Sequence, residues 1–320
     1  SVNNWDKKYI GPTRVRYGIE HSMNVLAVKT LTDYVGETES YDYLLDFGFT
    51  TLTEDDKYSQ AKARGGITNG VYNIEMTAAY AAIANGGTYM KPILYTQVLD
   101  HEGNVLLDNT TPETHEVLKD STAYLLTSAM EDVVNGAGGT GGSARLSNMP
   151  VAAKTGTSQE SRDLWISAFT PYYTASVWGG YDEHKTMDRL SQSWHQKLWK
   201  NIMEHIQDTK GLEYKDFEIP SSVEEKTVCT KTGLLATSSC PAITEYFSKD
   251  NAPTKSCSGH YVAPSEDSKK DDSESSNENT PATGTDSSGT TSSPDSSSAG
   301  TTTEPAAGGD SAGTTGTTTG

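Results

Sequence analysis

No run in this 320-residue sequence approaches the roughly 20 consecutive apolar residues of a membrane-spanning helix, so no segment is read as a span. Nor does the sequence open on an initiator methionine or a secretory leader. Ser1-Val2-Asn3 begins in mid-pattern, and the expectation is a piece of a longer protein. Positive charge is short: 25 Lys and Arg stand against 43 Asp and Glu, a formal charge of −18, which argues against a nucleic-acid partner. Aromatic residues are missing from Ala263 onward, where ten acids face two lysines among Ser, Thr, Gly and Pro. That stretch has nothing to bury, and residues 263–320 are expected to form a disordered acidic tail. The first 262 residues hold all the Trp, Tyr and Phe, enough for one sizeable core and a small appendage. Cysteine is scarce as well. Cys229, Cys240 and Cys257 all fall in the appendage, and Cys257-x-x-His260 completes a possible Cys3His set. Its spacings are not those of a standard zinc finger, so the reading is no metal and no cofactor. One disulfide with one free thiol, or no bond at all, is expected instead.

Periodicity and breakers give a mixed α+β pattern. Residues 14–20 and 25–35 read as helices, with Gly36 stopping the second. Residues 42–59 read as surface loops and short helices, and 65–70 as a glycine-rich turn. The alanine-rich stretch 74–84, ended by Gly86-Gly87, reads as a buried helix. Residues 93–107 read as a hairpin turning at 101–104, and 120–134 as a helix followed by a flexible glycine loop over 136–142. Residues 191–207 read as an amphipathic helix with Trp194, Leu198, Ile202 and Ile206 on the face that packs on a sheet.

The stretch Val151 to Ser158, V-A-A-K-T-G-T-S, has the chemistry of a ligand-binding strand. Val151 and the β-branched threonines favour extended backbone, and Gly156 lacks the Cβ that would hold a ligand off. Lys154 brings a cation with three donors, and Thr155 and Thr157 bring hydroxyls to one face. That set suits a ligand with both a carbonyl and a carboxylate. A second copy, Lys231-Thr232-Gly233, shows how little Lys-Thr-Gly means alone. Around the first copy, Leu164, Ile166 and Ala168, then Ala175, Val177 and Gly179, alternate as two adjacent antiparallel strands. Further upstream, Ser22 and Asn24 lie two apart and cannot share a helix face. They belong in a loop or at a helix start, where either could cap the helix that follows.

Taken together, P-V-A-A-K-T-G-T-S, R-D-L-W-I, V-W-G-G-Y-D and the H-S-M-N block resemble the transpeptidase domain of the bifunctional class A penicillin-binding proteins. G-G-I-T-N-G-V-Y-N-I-E-M-T-A-A-Y and V-C-T-K-T-G-L-L-A continue the resemblance. It implies an α/β (α+β) fold: an antiparallel sheet with packed helices, shared with the serine β-lactamases and here N-terminally truncated. Residues 1–212 would be a partial transpeptidase domain, 213–262 a small Cys-containing appendage and 263–320 the tail. The implied reaction is acyl transfer from D-Ala-D-Ala stem peptides, with β-lactams as inhibitors. In that scheme Ser22 relays a proton, Asn24 binds a substrate amide and Lys154 holds the relay electrostatically. Thr155, Gly156 and Thr157 would take the substrate carboxylate and supply an oxyanion donor. The family's nucleophile comes from Ser-x-x-Lys ahead of Ser-x-Asn. The one match here, Ser59-Gln60-Ala61-Lys62, comes after it and is read as incidental, so no residue of this sequence is assigned as nucleophile. That serine, a membrane anchor and a glycosyltransferase domain would lie upstream. The resemblance also implies the outer face of the bacterial plasma membrane, with cell-division or elongation machinery as partners. Competing readings are a D,D-carboxypeptidase or β-lactamase-like hydrolase, and a non-catalytic wall-binding scaffold.

Overall fold

The computed structural model describes residues 2–183, 185–187 and 191–260; the tail expected over 263–320 lies outside the described residues. The chain begins with short helices: α1 (Val15–Glu20), α2 (Asn24–Thr30, carried on by a π-turn to Val35), α3 (Glu37–Asp46) and α4 (Glu54–Lys57). The longer α5 (Asn73–Ala84) follows. Strands β1 (Thr88–Met90), β2 (Gln97–Leu99), β3 (Val105–Asp108) and β4 (Thr114–Glu116) make two small antiparallel pairs, β1 with β4 and β2 with β3. The inner pair is the hairpin expected from sequence; three-residue β1 and β4 are too short to leave a periodic signal. Helix α6 (Asp120–Asn135) leads into the central sheet of β5 (Ala152–Thr157), β6 (Asp163–Phe169) and β7 (Thr174–Gly180), antiparallel in that order. Helix α7 (Trp194–Lys210) and the hairpin β8 (Val223–Cys229) with β9 (Ala242–Ser248) complete it. Among the described residues, no helix is long and apolar enough to cross a membrane.

The central sheet is buried on both faces, and strand alternation sorts its residues between two helical layers. Ala152 of β5, paired with Phe169 of β6, packs against Ile83 of α5 and Met130 of α6. Ala153, Ile166 and Ala168 point the other way, onto Trp199 and Met203 of α7. The α7 face differs from the sequence expectation. Leu198 and Ile202 are each 43% exposed, whereas Trp199 is fully buried and its indole N–H donates to Ala175 O at 3.1 Å. A strict step of four advances about 40° beyond a full turn, so Trp194, Leu198, Ile202 and Ile206 spiral around the helix. His195, Trp199, Met203 and Ile206 hold one face because one step of three corrects the drift.

The capping role open to Ser22 or Asn24 is also corrected. The N-cap of α2 is Met23, with no side-chain cap, and the Val25 N–H donates to Asn4 Oδ1 at 3.0 Å. Asn4, buried in the polar lead-in, donates in turn to Lys8 O at 2.7 Å. The cap comes from 21 residues upstream, beyond the reach of a local pattern.

The C-terminal hairpin is held to α1 by charge. Arg16 donates to Glu245 Oε2 at 2.8 Å and to Ser128 O at 2.8 Å, and lies 3.1 Å from Asp132 Oδ2. Burial works to lower the guanidinium pKa, but Glu245 and Asp132 outweigh it and raise it. Tyr124 of α6 meets Tyr246 of β9 edge-on, with ring centroids 5.2 Å apart. Replacing Arg16 with alanine should cost about 1–2 kcal/mol in urea unfolding, because two half-buried carboxylates lose their cation. Arg16→Ala combined with Glu245→Gln should cost less than the sum of the two single changes. Strict additivity would show that the pair is not coupled.

Candidate active site

Ser22 sits in the turn between α1 and α2, 132 residues from Lys154 in sequence. Its φ of +52° is left-handed, a conformation that costs a non-glycine residue about 1 kcal/mol. Its backbone is fixed by Ser22 N–H donating to Ile19 O at 3.2 Å and Met23 N–H to Gly18 O at 2.9 Å. Lys154 reaches it from the third position of β5: Nζ donates to Ser22 Oγ at 2.7 Å and to Thr155 O at 2.8 Å. Among the described residues Lys154 has no carboxylate partner in an ion pair. Burial pushes its pKa down to about 8, within reach of neutral pH. A desolvated amine against a strained hydroxyl can hold, give or take one proton at the serine oxygen.

Register sets where the other predicted residues point. Lys154 and Gly156 lie on one face of β5 and Thr155 and Thr157 on the other, the face shared with α7. Gly156 pairs with Trp165, and a Cβ there would come 3.3 Å from the Trp165 Cβ, so glycine also answers to cross-strand crowding. Strand β5 is the edge of its sheet, which leaves one side of its backbone available to an added peptide strand. Asn24 opens α2 but turns its amide to Asn3 O, 3.2 Å away, and is not hydrogen-bonded to Ser22 or Lys154. The structure thus joins Ser22 with Lys154 directly and brings Thr155, Gly156 and Thr157 onto the same strand; Asn24 is adjacent but differently engaged.

Sequence reasoning missed the loop over residues 136–142, which was expected to be flexible. Thr140 Oγ1 shares a 2.6 Å hydrogen bond with Thr155 Oγ1, and Thr140 O accepts from Gln196 Nε2 at 3.0 Å. Gly138 N–H donates to Glu20 Oε1 at 3.1 Å, and Gly138 lies under the His21 ring, which stacks on Tyr17 at 3.8 Å. Gln196 on α7 is buried and its amide must find partners, but nothing in the sequence marked it as buried.

Ser59 is elsewhere engaged. Its hydroxyl caps a short 3-10 turn by accepting from Ala61 N–H at 3.2 Å. The Lys62 ammonium donates to the carbonyls of Asp56, Lys57 and Ser59, at 3.2, 2.9 and 3.2 Å, rather than to the Ser59 hydroxyl. Cys229, Cys240 and Cys257 are all free, so the disulfide alternative is not what the structure holds: the three sulfurs gather around His260 instead of pairing.

Comparison with known proteins adds a second line. Residues 1–204 match the penicillin binding protein transpeptidase domain, and residues 219–261 match the C-terminal domain of penicillin-binding protein 1A. A penicillin-binding protein 1A of Clostridium acetobutylicum is 37% identical over 221 residues, covering 69% of this chain and 26% of the relative. The chain spans between 26% and 34% of the length of such curated relatives. Among solved structures, penicillin-binding protein 1A from Haemophilus influenzae aligns with a TM-score of 0.66 at 22% identity, over 80% of this chain and 43% of that one. The PonA1 protein of Mycobacterium tuberculosis, solved in complex with penicillin V, aligns with a TM-score of 0.58 at 23% identity, over 69% of this chain and 62% of that one.

Proposed function

This chain belongs to the penicillin-binding protein transpeptidase family, and from that premise we propose that it carries part of the active site of a peptidoglycan D,D-transpeptidase. In this reading residues 1–212 carry acyl-transfer machinery and residues 213–262 brace it. The supporting observation is the 2.7 Å contact between Lys154 Nζ and Ser22 Oγ, made by a half-buried lysine that has no ion-pair partner among the described residues.

The reaction begins when a serine oxygen attacks the penultimate D-alanyl carbonyl of a stem peptide. Its proton passes through Ser22 to the amine of the departing D-alanine, and an amine from a neighbouring strand then displaces the serine ester. Protonated Lys154 holds Ser22 in place to hand that proton on and adds positive field where the substrate carboxylate binds. Thr155 and Thr157 offer hydroxyls to that carboxylate, and the free edge of β5 takes the peptide backbone. Asn24 must release Asn3 O to reach a substrate amide. The nucleophilic serine is assigned to a preceding segment, because the family order places it ahead of Ser-x-Asn and Ser59 is used as a cap. In this reading the work is done on the outer face of the plasma membrane, where the stem peptides are cross-linked.

The test is intact mass after incubation with a fluorescent penicillin, on this chain and on a version of it extended upstream. A single adduct on the longer protein alone is the expected result. An adduct on the 320-residue chain would return Ser59 and its neighbours to consideration. No adduct on either would favour a non-catalytic wall-binding scaffold.

A further inference from the structure

The second Lys-Thr-Gly, at 231–233, has no place in the site above; it wraps a cysteine. Cys229 ends β8 fully buried, and its carbonyl accepts from Gly233 N–H at 2.8 Å in a turn that needs Gly233 at φ +72°. The Thr232 hydroxyl, the Lys231 and Thr232 amides and the Cys257 thiol are all aimed at the Cys229 sulfur. Donors aimed at a sulfur favour its thiolate.

Three other ligand-type side chains arrive from two further segments, Cys240 from one and Cys257 with His260 from the other, each fixed through its backbone. Cys240 N–H donates to Thr237 O at 3.0 Å, Cys257 N–H to Leu235 O at 2.8 Å and His260 N–H to Ser239 O at 3.2 Å. Cys257 Sγ lies 3.3 Å from His260 Nε2, and one ligand atom from each of the four residues falls within 4.8 Å of the others. We infer that Cys229, Cys240, Cys257 and His260 form a structural zinc site that staples the C-terminal hairpin. Zn–S distances of about 2.3 Å and Zn–N of about 2.0 Å put the corners of a tetrahedron roughly 3.5–3.8 Å apart, so the four need close by no more than about 1 Å.

The donor set separates this from the alternatives. Three thiols cannot all pair, and a disulfide would give His260 no part to play. Soft sulfur with one imidazole selects zinc over magnesium or calcium, which want oxygen. Four protein ligands leave no open position, so the metal would hold structure and take no part in acyl transfer. The hairpin needs such help: it is two-stranded, with few buried apolar side chains, Val223 and Val228 among them.

The experiment uses the 320-residue chain, reduced, supplied with zinc, desalted and measured by elemental analysis. Expected are about one zinc per chain and three cysteines open to alkylation once denatured and chelated. Cobalt(II) in place of zinc should give the visible bands of a tetrahedral thiolate complex. Cys240→Ser and His260→Ala should each lower zinc affinity at least about tenfold. To separate ligand loss from misfolding of those variants, the wild-type chain is also treated with EDTA, which should open residues 219–260 to protease while residues 1–212 stay protected. Less than about a tenth of a zinc per reduced chain overturns the site. So do zinc retained at full affinity in both variants, and an unchanged digestion pattern after the metal is stripped.

Discussion

Changing Lys154 to alanine in a version of the chain extended upstream is expected to slow acylation by penicillin about a thousandfold, some 4 kcal/mol of transition-state stabilisation. One ammonium supports two parts of the proposed chemistry: it hydrogen-bonds to Ser22 Oγ at 2.7 Å, and it stands on the strand proposed to hold the substrate carboxylate. Alanine removes both. The pH dependence carries the sharper test. Burial brings the Lys154 pKa down to about 8, so the charged form is lost as pH rises through that value, and acylation should fall with it. The same shift makes Lys154 costly to the fold. A buried lysine whose folded pKa lies below its unfolded value near 10.4 binds its proton less tightly when folded. The cost is present in full below about pH 8 and is relieved as pH rises from there toward 10.4. Lys154→Met, matched in length but uncharged, should therefore be more stable than wild type at pH 7, by roughly 1–2 kcal/mol after the lost hydrogen bonds are counted, while failing to acylate. A methionine variant that is less stable at pH 7 and equally stable at pH 10 would contradict the assignment of a desolvated, functional lysine.

What the sequence made legible follows from the range of the interactions involved. Strands β5, β6 and β7 are adjacent in sequence; a period of two in β6 and β7 revealed their antiparallel pairing, and β-branched residues beside Gly156 revealed β5. The resemblance implied Ser22 and Lys154 in one site, and the structure sets them 2.7 Å apart. What failed to show was set by partners distant in sequence. Asn4 caps α2 from the lead-in, and Gln196 of α7 fixes a loop 56 residues earlier. Helix α7 was assigned the wrong face for another reason: four apolar side chains at a step of four looked like a stripe, while Trp199 alone among the helix's tryptophans is fully buried. Two Lys-Thr-Gly copies illustrate the limit best. On β5 the lysine enters a helix-lined interior, whereas at 231–233 the backbone amides turn onto a cysteine sulfur. Identical tripeptides do different chemistry because register and the preceding residue, alanine in one case and threonine in the other, set what faces inward.

Gly139→Ala should be among the most damaging single-methyl additions near the site. Gly139 lies outside the left-handed region, so alanine's conformational preferences are no obstacle there; only space is. A Cβ would stand 2.4 Å from Val133 O and 2.6 Å from Asp132 O, both backbone atoms in the last turns of α6. Those carbonyls cannot swing aside as a side chain would, because α6 packs its Val133 and Val134 into the core. The loop must shift instead, at a cost of about 3 kcal/mol. Shifting it draws Thr140 from Thr155 and loosens the clasp on the carboxylate side of β5. Gly142→Ala is the matched control: its Cβ would meet nothing nearer than Val134 O at 3.8 Å, an ordinary contact, so stability should change by less than about 0.5 kcal/mol. Urea unfolding of both variants gives the comparison directly, and acylation of the longer protein shows whether the damage reaches the site. Equal stability of the two would mean that the loop yields freely, in which case Thr140 is a passing neighbour of Thr155 and not its support.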